Sequence, residues 1–189
     1  LRIAKTPEMQ ARLLLVIEKD VRRLDRLVTD ISNASRLDAE LVREEMVRFD
    51  LRALIETMAD LNLSQADERE ARILVSPGEA GLYIRGLEGR IGQVLQNLLG
   101  NALSFASPKS SVTISAYNTG SAIRVQVEDQ GPGIPDENLG SIFERFYSER
   151  PDHEEFGNHS GLGLSISRQI IEAHGGTIWA ATVRPPNNS

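Results

Sequence analysis

The sequence predicts an α/β sandwich, a mixed β-sheet covered by helices on one face, preceded by a long amphipathic α-helix. Three observations carry the prediction. Short alternating segments rich in β-branched residues are interleaved with segments of helical periodicity, in an order that lacks the regular rhythm of a parallel βαβ repeat. The N-terminal region instead carries a heptad seam. The composition, 40% hydrophobic and 25% charged over 189 residues, suffices for one good core plus an accessory element.

The same numbers exclude several classes. A net charge of −6 argues against a nucleic-acid partner. With 0 cysteines there is no disulfide framework and no thiolate metal site. No apolar run approaches membrane-span length and no signal peptide is visible. Leu1 is not a natural start, so the chain is expected to be a piece of a longer protein.

Taken in order, Thr6-Pro7-Glu8 has the form of a helix start, with Thr6 as N-cap and Pro7 in the first turn. A helix is expected from there to about Arg43, because Leu14, Ile17, Val21, Leu24, Val28 and Ile31 are spaced 3,4,3,4,3. Leu13, Leu27, Ala34 and Leu41 add a second stripe, which suits a four-helix bundle better than a two-stranded zipper. Arg22, Arg23, Asp25, Arg26 and Asp30 are left for a solvated face or, on a sharper reading, a patch that meets a partner protein. The boundary falls near residue 45, giving a helical region 1–45 and an α/β domain 46–189.

Residues 46–51 alternate like a first strand, and Asp50 can cap a helix running from Leu51 to about Leu63. Residues 71–75 and 82–85 read as two strands around the turn Ser76-Pro77-Gly78. A helix is expected over 87–105, followed by strands at 111–117 and 122–128 joined by Asn118-Thr119-Gly120. Residues 139–146 read as a short helix inside a long loop. Leu164, Ile166, Ile170, Ile171 and Ala173 recur at helical spacing up to the stop Gly175-Gly176, and 177–180 is expected to start a final hairpin.

The chemistry concentrates between Asp129 and Gly163. Asp129 leaves a strand end, where a carboxylate can accept from an exocyclic amine; a buried charge-assisted bond of this kind is worth about 1.5–3 kcal/mol. Gly131 and Gly133 permit approaches that a Cβ would forbid. Gly161 and Gly163 precede a helix whose free N–H groups and dipole favour phosphate. Upstream, Asn97 and Asn101 share one face of an otherwise apolar helix. A neutral amide oxygen is a reasonable Mg²⁺ ligand when substrate phosphates supply the remaining oxygens and charge. The plain alternatives are asparagines that satisfy backbone groups locally and glycine turns on a surface loop; the two glycine pairs in order around one loop fit those alternatives poorly.

In this order Asn97–Asn101, Asp129-x-Gly131-x-Gly133, Phe143-x-x-Phe146 and Gly161-Leu-Gly163 resemble the N, G1, F and G2 boxes of sensor histidine kinases. The catalytic domain of that family is the Bergerat (GHKL) ATP-binding fold shared with gyrase, Hsp90 and MutL. The resemblance covers nearly the whole chain. Asp20-Val-Arg-Arg-Leu-Asp-Arg-Leu and Ser35-Arg-Leu-Asp38 resemble the second helix of the dimerisation and phosphotransfer (DHp) hairpin. The texture is closest to alphaproteobacterial kinases of the ChvG/ExoS/BvrS type.

The resemblance implies that Asn101 chelates Mg²⁺ on ATP, with Asn97 as its polar companion, and that Asp129 receives the adenine amino group. Phe105 would stack on the base. Gly131, Gly133, Gly161 and Gly163 would hinge and terminate an ATP lid at about 130–162, with Ser160, Leu162 and Leu164 in the G2 turn. Phe143 and Phe146 would anchor the lid by packing. Arg150 and His159 are phosphate contacts or part of a solvated lid face, and His174 is a helix C-terminal histidine. The implied activity is transfer of the γ-phosphate of ATP to a histidine on a DHp helix missing from this chain, for relay to a response-regulator aspartate. Implied partners are ATP or ADP, the first DHp helix, a response regulator and, in the parent, a second copy. The implied location is the cytoplasmic portion of a bacterial inner-membrane sensor.

Three departures from the family pattern stand out. The histidines here are His153, His159 and His174, none on a DHp helix. Ser104 stands where many relatives carry a phosphate-facing lysine. Residues 180–185 run on from Trp179 without the usual hairpin turn and glycine-rich entry to the last strand. Two other functions remain in play: hydrolysis of the gyrase kind, which places a water-activating glutamate where this chain has Asn97, and a nucleotide-binding scaffold without transfer activity.

Overall fold

The computed structural model describes residues 6, 9–18, 21, 24, 28, 32, 44–76, 81–147 and 161–183. Residues 9–18 are helical, as are positions 21, 24, 28 and 32. Thr6 Oγ1 accepts from Met9 N–H, as an N-cap should. Leu13, Leu14, Ile17, Val21, Leu24 and Val28 are each at least 44% exposed, so the seam has no cover among the described residues. Leu27, Ile31, Ala34, Leu41 and the arginines at 22, 23 and 26 lie outside them.

The α/β domain begins at β1 (Val47–Asp50), whose last residue caps α1 (Leu51–Leu61). Asp50 Oδ1 accepts from Arg52 N–H at 2.9 Å and from Ala53 N–H at 3.3 Å. A short α2 (Leu63–Glu68) leads to β2 (Arg72–Ser76), then β3 (Tyr83–Gly86) and the long α3 (Glu88–Phe105). The hairpin β4 (Ser111–Asn118) and β5 (Ile123–Glu128) follows, and α4 (Gly163–Ala173) is the last helix.

The sheet is mixed and comes in two pieces. β1 and β3 pair antiparallel, Val47 opposite Gly86; β4 pairs parallel with β2 and antiparallel with β5, in the order β2-β4-β5. The two strands read on either side of Ser76-Pro77-Gly78 therefore do not pair with each other. Each alternates with one face inward, and that pattern is silent about the neighbour. Val112, Ile114 and Ala116 of β4 point into the core while Ser111, Thr113 and Ser115 do not, so helices cover one face.

Two expectations differ. Residues 139–146 form no α-helix; the loop holds three-residue 3₁₀ helices at Asp136–Asn138 and Ser141–Phe143. Residues 177–183 form no strand. The strand signal there is met by side chains instead: Arg124 lies over the Trp179 ring, 4.9 Å from its centroid, and the Thr182 hydroxyl bonds both backbone groups of Ile134.

Helix α3 is the axis of the domain. Ile91, Val94, Leu95, Leu99, Ala102 and Leu103 are buried against the sheet and the other helices. Its outer contacts are polar and paired. Asn62, 1% exposed, exchanges two amide hydrogen bonds with Gln96, at 3.0 and 2.9 Å. His174, expected only to end α4, does more. Its Nδ1 donates to Ile170 O at 2.7 Å, which leaves Nε2 to accept Leu87 N–H at 3.0 Å, the N-cap of α3. A Cβ at Gly86 would come 2.7 Å from the His174 ring, so the latch depends on glycine there.

Candidate functional site

The last two turns of α3 carry Asn97, Asn101 and Phe105, one turn apart along the same side. Asn97 is committed to the neighbouring helix. Its Nδ2 donates to Gly163 O at 3.0 Å and to Ser167 Oγ at 3.2 Å, tying α3 to the first turn of α4. Asn101 is not committed. It is half-buried, and its side-chain amide has no hydrogen-bond partner among the described residues. Ser104 turns its hydroxyl back to Asn101 O at 2.7 Å. Phe105 ends the helix 39% exposed, large for an aromatic at the end of a buried helix.

The turn after β5 packs against that helix end. Asp129 is exposed, and its Oδ1 accepts Gly131 N–H at 2.8 Å, an Asx turn that fixes the carboxylate beside the backbone. A Cβ on Gly131 would lie 3.0 Å from Phe105 O, so only glycine lets the turn close on the end of α3. Gln130 ties the same turn to β4, its Oε1 accepting Ser111 N–H at 3.0 Å. Gly133 is followed by Ile134, held by Thr182 with bonds of 3.2 and 2.7 Å.

The two described ends of the loop meet at its neck. Phe146 N–H donates to Gly161 O at 2.9 Å. Gly161 sits at φ +70°, with Phe146 and Tyr147 backbone atoms 3.0 Å from where a Cβ would be. Phe143 packs inside at 8% exposure, as an anchor should, but Phe146 is 64% exposed and anchors through its N–H instead. Beyond the neck, Leu162 is the N-cap of α4; no side chain caps it, and the first turn holds no acidic residue. Leu162 is buried, while Gly163 and Leu164 are half-buried. Arg150, His153, His159 and Ser160 lie outside the described residues.

The site residues therefore gather along α3, the β5 turn and the start of α4. A groove of about 540 Å³ lies elsewhere, between α1 and the start of α3, lined by Leu54, Met58, Glu88, Gly89, Gly92, Gln93 and Gln96. None of the expected site residues lines it. Among the described residues no group of three or more His, Cys, Asp or Glu could hold a metal ion. Sequence reasoning missed Ser167, Gln130 and Thr182. A serine on the apolar face of α4, beside Ile166 and Ile170, is a signal that could have found the first, because a buried hydroxyl needs a partner. Thr182 bonds a residue 48 positions away and carries no local signal.

Residues 86–188 match the family of histidine kinase-, DNA gyrase B- and HSP90-like ATPases, and the chain belongs to that family. Within it, the similarity runs to sensor histidine kinases. The sensor protein ChvG of Rhizobium meliloti (strain 1021) is 46% identical over 191 residues, covering 97% of this chain and 33% of that protein. Full-length ShkA in complex with AMPPNP aligns with a TM-score of 0.75 at 27% identity, covering 92% of this chain and 36% of that one. Histidine kinase ThkA in complex with the response regulator protein TrrA aligns with a TM-score of 0.72 at 27% identity, covering 94% and 49%. The chain spans about a third of the length of the curated relatives it matches.

Proposed function

We propose that the chain is the ATP-binding catalytic region of a two-component sensor kinase, and that it presents the γ-phosphate of Mg²⁺-ATP to a histidine on another helix. The observation that carries this is the last turn of α3. There an Asn101 amide without a partner among the described residues and a partly exposed Phe105 stand beside the Asp129 turn, one helix away from the start of α4, which no described side chain caps. On this reading Asp129 accepts from the adenine amino group, Phe105 covers the base, and Gly131 lets the turn close. The first-turn N–H groups at Gly163 and Leu164 take a phosphate.

The donor set suits Mg²⁺ arriving with the nucleotide. Asn101 offers one neutral amide oxygen, and no acidic cluster stands among the described residues to hold the ion without phosphates. When bound, Mg²⁺ neutralises phosphate charge. The protein's contribution is otherwise positioning, as is general in phosphoryl transfer. Hydrolysis is disfavoured because Asn97, where hydrolases of the fold carry glutamate, is an amide whose N–H groups are already engaged; it cannot take a proton from water.

The receiving imidazole is supplied by the first DHp helix, and the phosphate passes on to a response-regulator aspartate. ThkA, solved with a response regulator, and ShkA, solved with AMPPNP, support both ends of that sequence. The parent is read as a bacterial inner-membrane sensor dimerised through the exposed seam of its N-terminal helix, with this part in the cytoplasm. Among the described residues no helix is long and apolar enough to cross a membrane. Titration calorimetry with ADP and Mg²⁺ tests the site: saturable binding is expected, and none at millimolar nucleotide would leave a scaffold. Labelled ATP tests the division of labour: this chain alone should carry no stable acid-labile phosphate.

A further inference from the structure

Asn97 has two amide protons, and the structure spends both on α4. One goes to Gly163 O at 3.0 Å, the other to Ser167 Oγ at 3.2 Å. Ser167 is fully buried, and its own proton goes to Gly163 O at 2.8 Å. A hydroxyl that donates there can only accept from Asn97. Both acceptors around Nδ2 are thus lone-pair atoms, and a flipped amide would set Oδ1 against two oxygens. The triangle fixes which way round Asn97 sits. Its Oδ1 meets no donor among the described residues.

The geometry points to Ser167 as a positioning residue of the nucleotide site: it locks the Asn97 amide with Nδ2 on α4's acceptors, which leaves Oδ1, lying beside Gly163, for the phosphate-bound cation or its water shell. This rests on the nucleotide reading above. Ser167 never touches ligand; it acts through Asn97. The Gly163 carbonyl alone would hold one of the two protons, so without the hydroxyl the amide can rotate and lose its second anchor. The consequence falls on the cation and phosphate end of the site and spares the adenine end at Asp129 and Phe105.

The test is calorimetric binding of ADP with Mg²⁺, of ADP with EDTA, and of adenosine, to the full chain and to Ser167→Ala, Ser167→Thr, Asn97→Ala and the Ser167→Ala/Asn97→Ala double variant. Ser167→Ala should weaken Mg²⁺-ADP binding about tenfold, the scale of one lost hydrogen bond, with adenosine unchanged. Ser167→Thr, which keeps the hydroxyl, should stay within about twofold, and alanine at 167 should cost nothing further once Asn97 is alanine. If Ser167→Ala does not fold, Ser167→Cys, which accepts weakly, replaces it with the same requirements. Wild-type affinity in the alanine variant, an equal loss for adenosine, or a further tenfold loss in the double variant relative to Asn97→Ala alone would overturn the role. Failure of the wild-type chain to bind ADP would instead condemn the site reading itself.

Discussion

Helix α3 has two ends, built from the same kinds of residue and used in opposite ways. In its first half several polar groups are tied down: Leu87 N–H by His174, Gln96 by Asn62, and Arg90 to Gln93 at 2.8 Å. At its end Asn101 has no side-chain partner among the described residues, and Phe105 is left partly in solvent. Asn and Gln amides appear in both halves, so residue type does not separate structure from function. What separates them is whether the polar group has been given a partner. A half-buried amide left without one weakens the fold slightly unless a ligand supplies the bond.

That contrast can be broken by substitution. The largest effect belongs to the packing beneath its last turn: Leu103→Ala, at a fully buried position, should lower unfolding free energy by about 2–5 kcal/mol in denaturant titrations. If it does not, the last turn is not held by its core face. Next comes Asp129→Ala, expected to weaken ADP binding by about 10- to 150-fold, corresponding to about 1.5–3 kcal/mol. Its melting temperature should hardly move, because the carboxylate is exposed and, among the described residues, bonds only the Gly131 N–H.

Asn62→Ala should do the reverse. It strands the Gln96 amide and costs about 1–3 kcal/mol of stability, while ADP affinity stays within about twofold. A nucleotide effect as large as that of Asp129→Ala would erase the distinction between the two ends. The smallest effect is at the surface: removing the Arg52–Glu56 pair on α1, where both side chains are at least 40% exposed, should change stability by only about 0.3–0.5 kcal/mol.

Much of this was readable in the chain. The Asp50 cap, the Gly175-Gly176 stop and the Asn118-Thr119-Gly120 turn are local devices, and each lies where the sequence places it: Gly176 N–H reaches Ile171 O at 2.9 Å and Gly120 N–H reaches Asn118 Oδ1 at 2.7 Å. Strand partners were not readable, since Ile73 and Val75 announce a buried face and say nothing of β4. Over residues 139–146, Leu139, Ile142, Phe143 and Phe146 have helical spacing, yet only the three-residue 3₁₀ helix Ser141–Phe143 forms there. The site residues were found from spacing, but their commitments were not. Nothing in Asn97 and Asn101 as letters says that one amide is engaged and the other without a partner among the described residues.

The bond from Phe146 N–H to Gly161 O pinches the long loop shut at its base. A segment whose ends are already fastened together can gain or lose residues at little cost, because each doubling of its length adds only about 0.6 kcal/mol of closure entropy. The stretch between residues 147 and 161 can thereby differ in length and composition, while the platform beneath it stays the same.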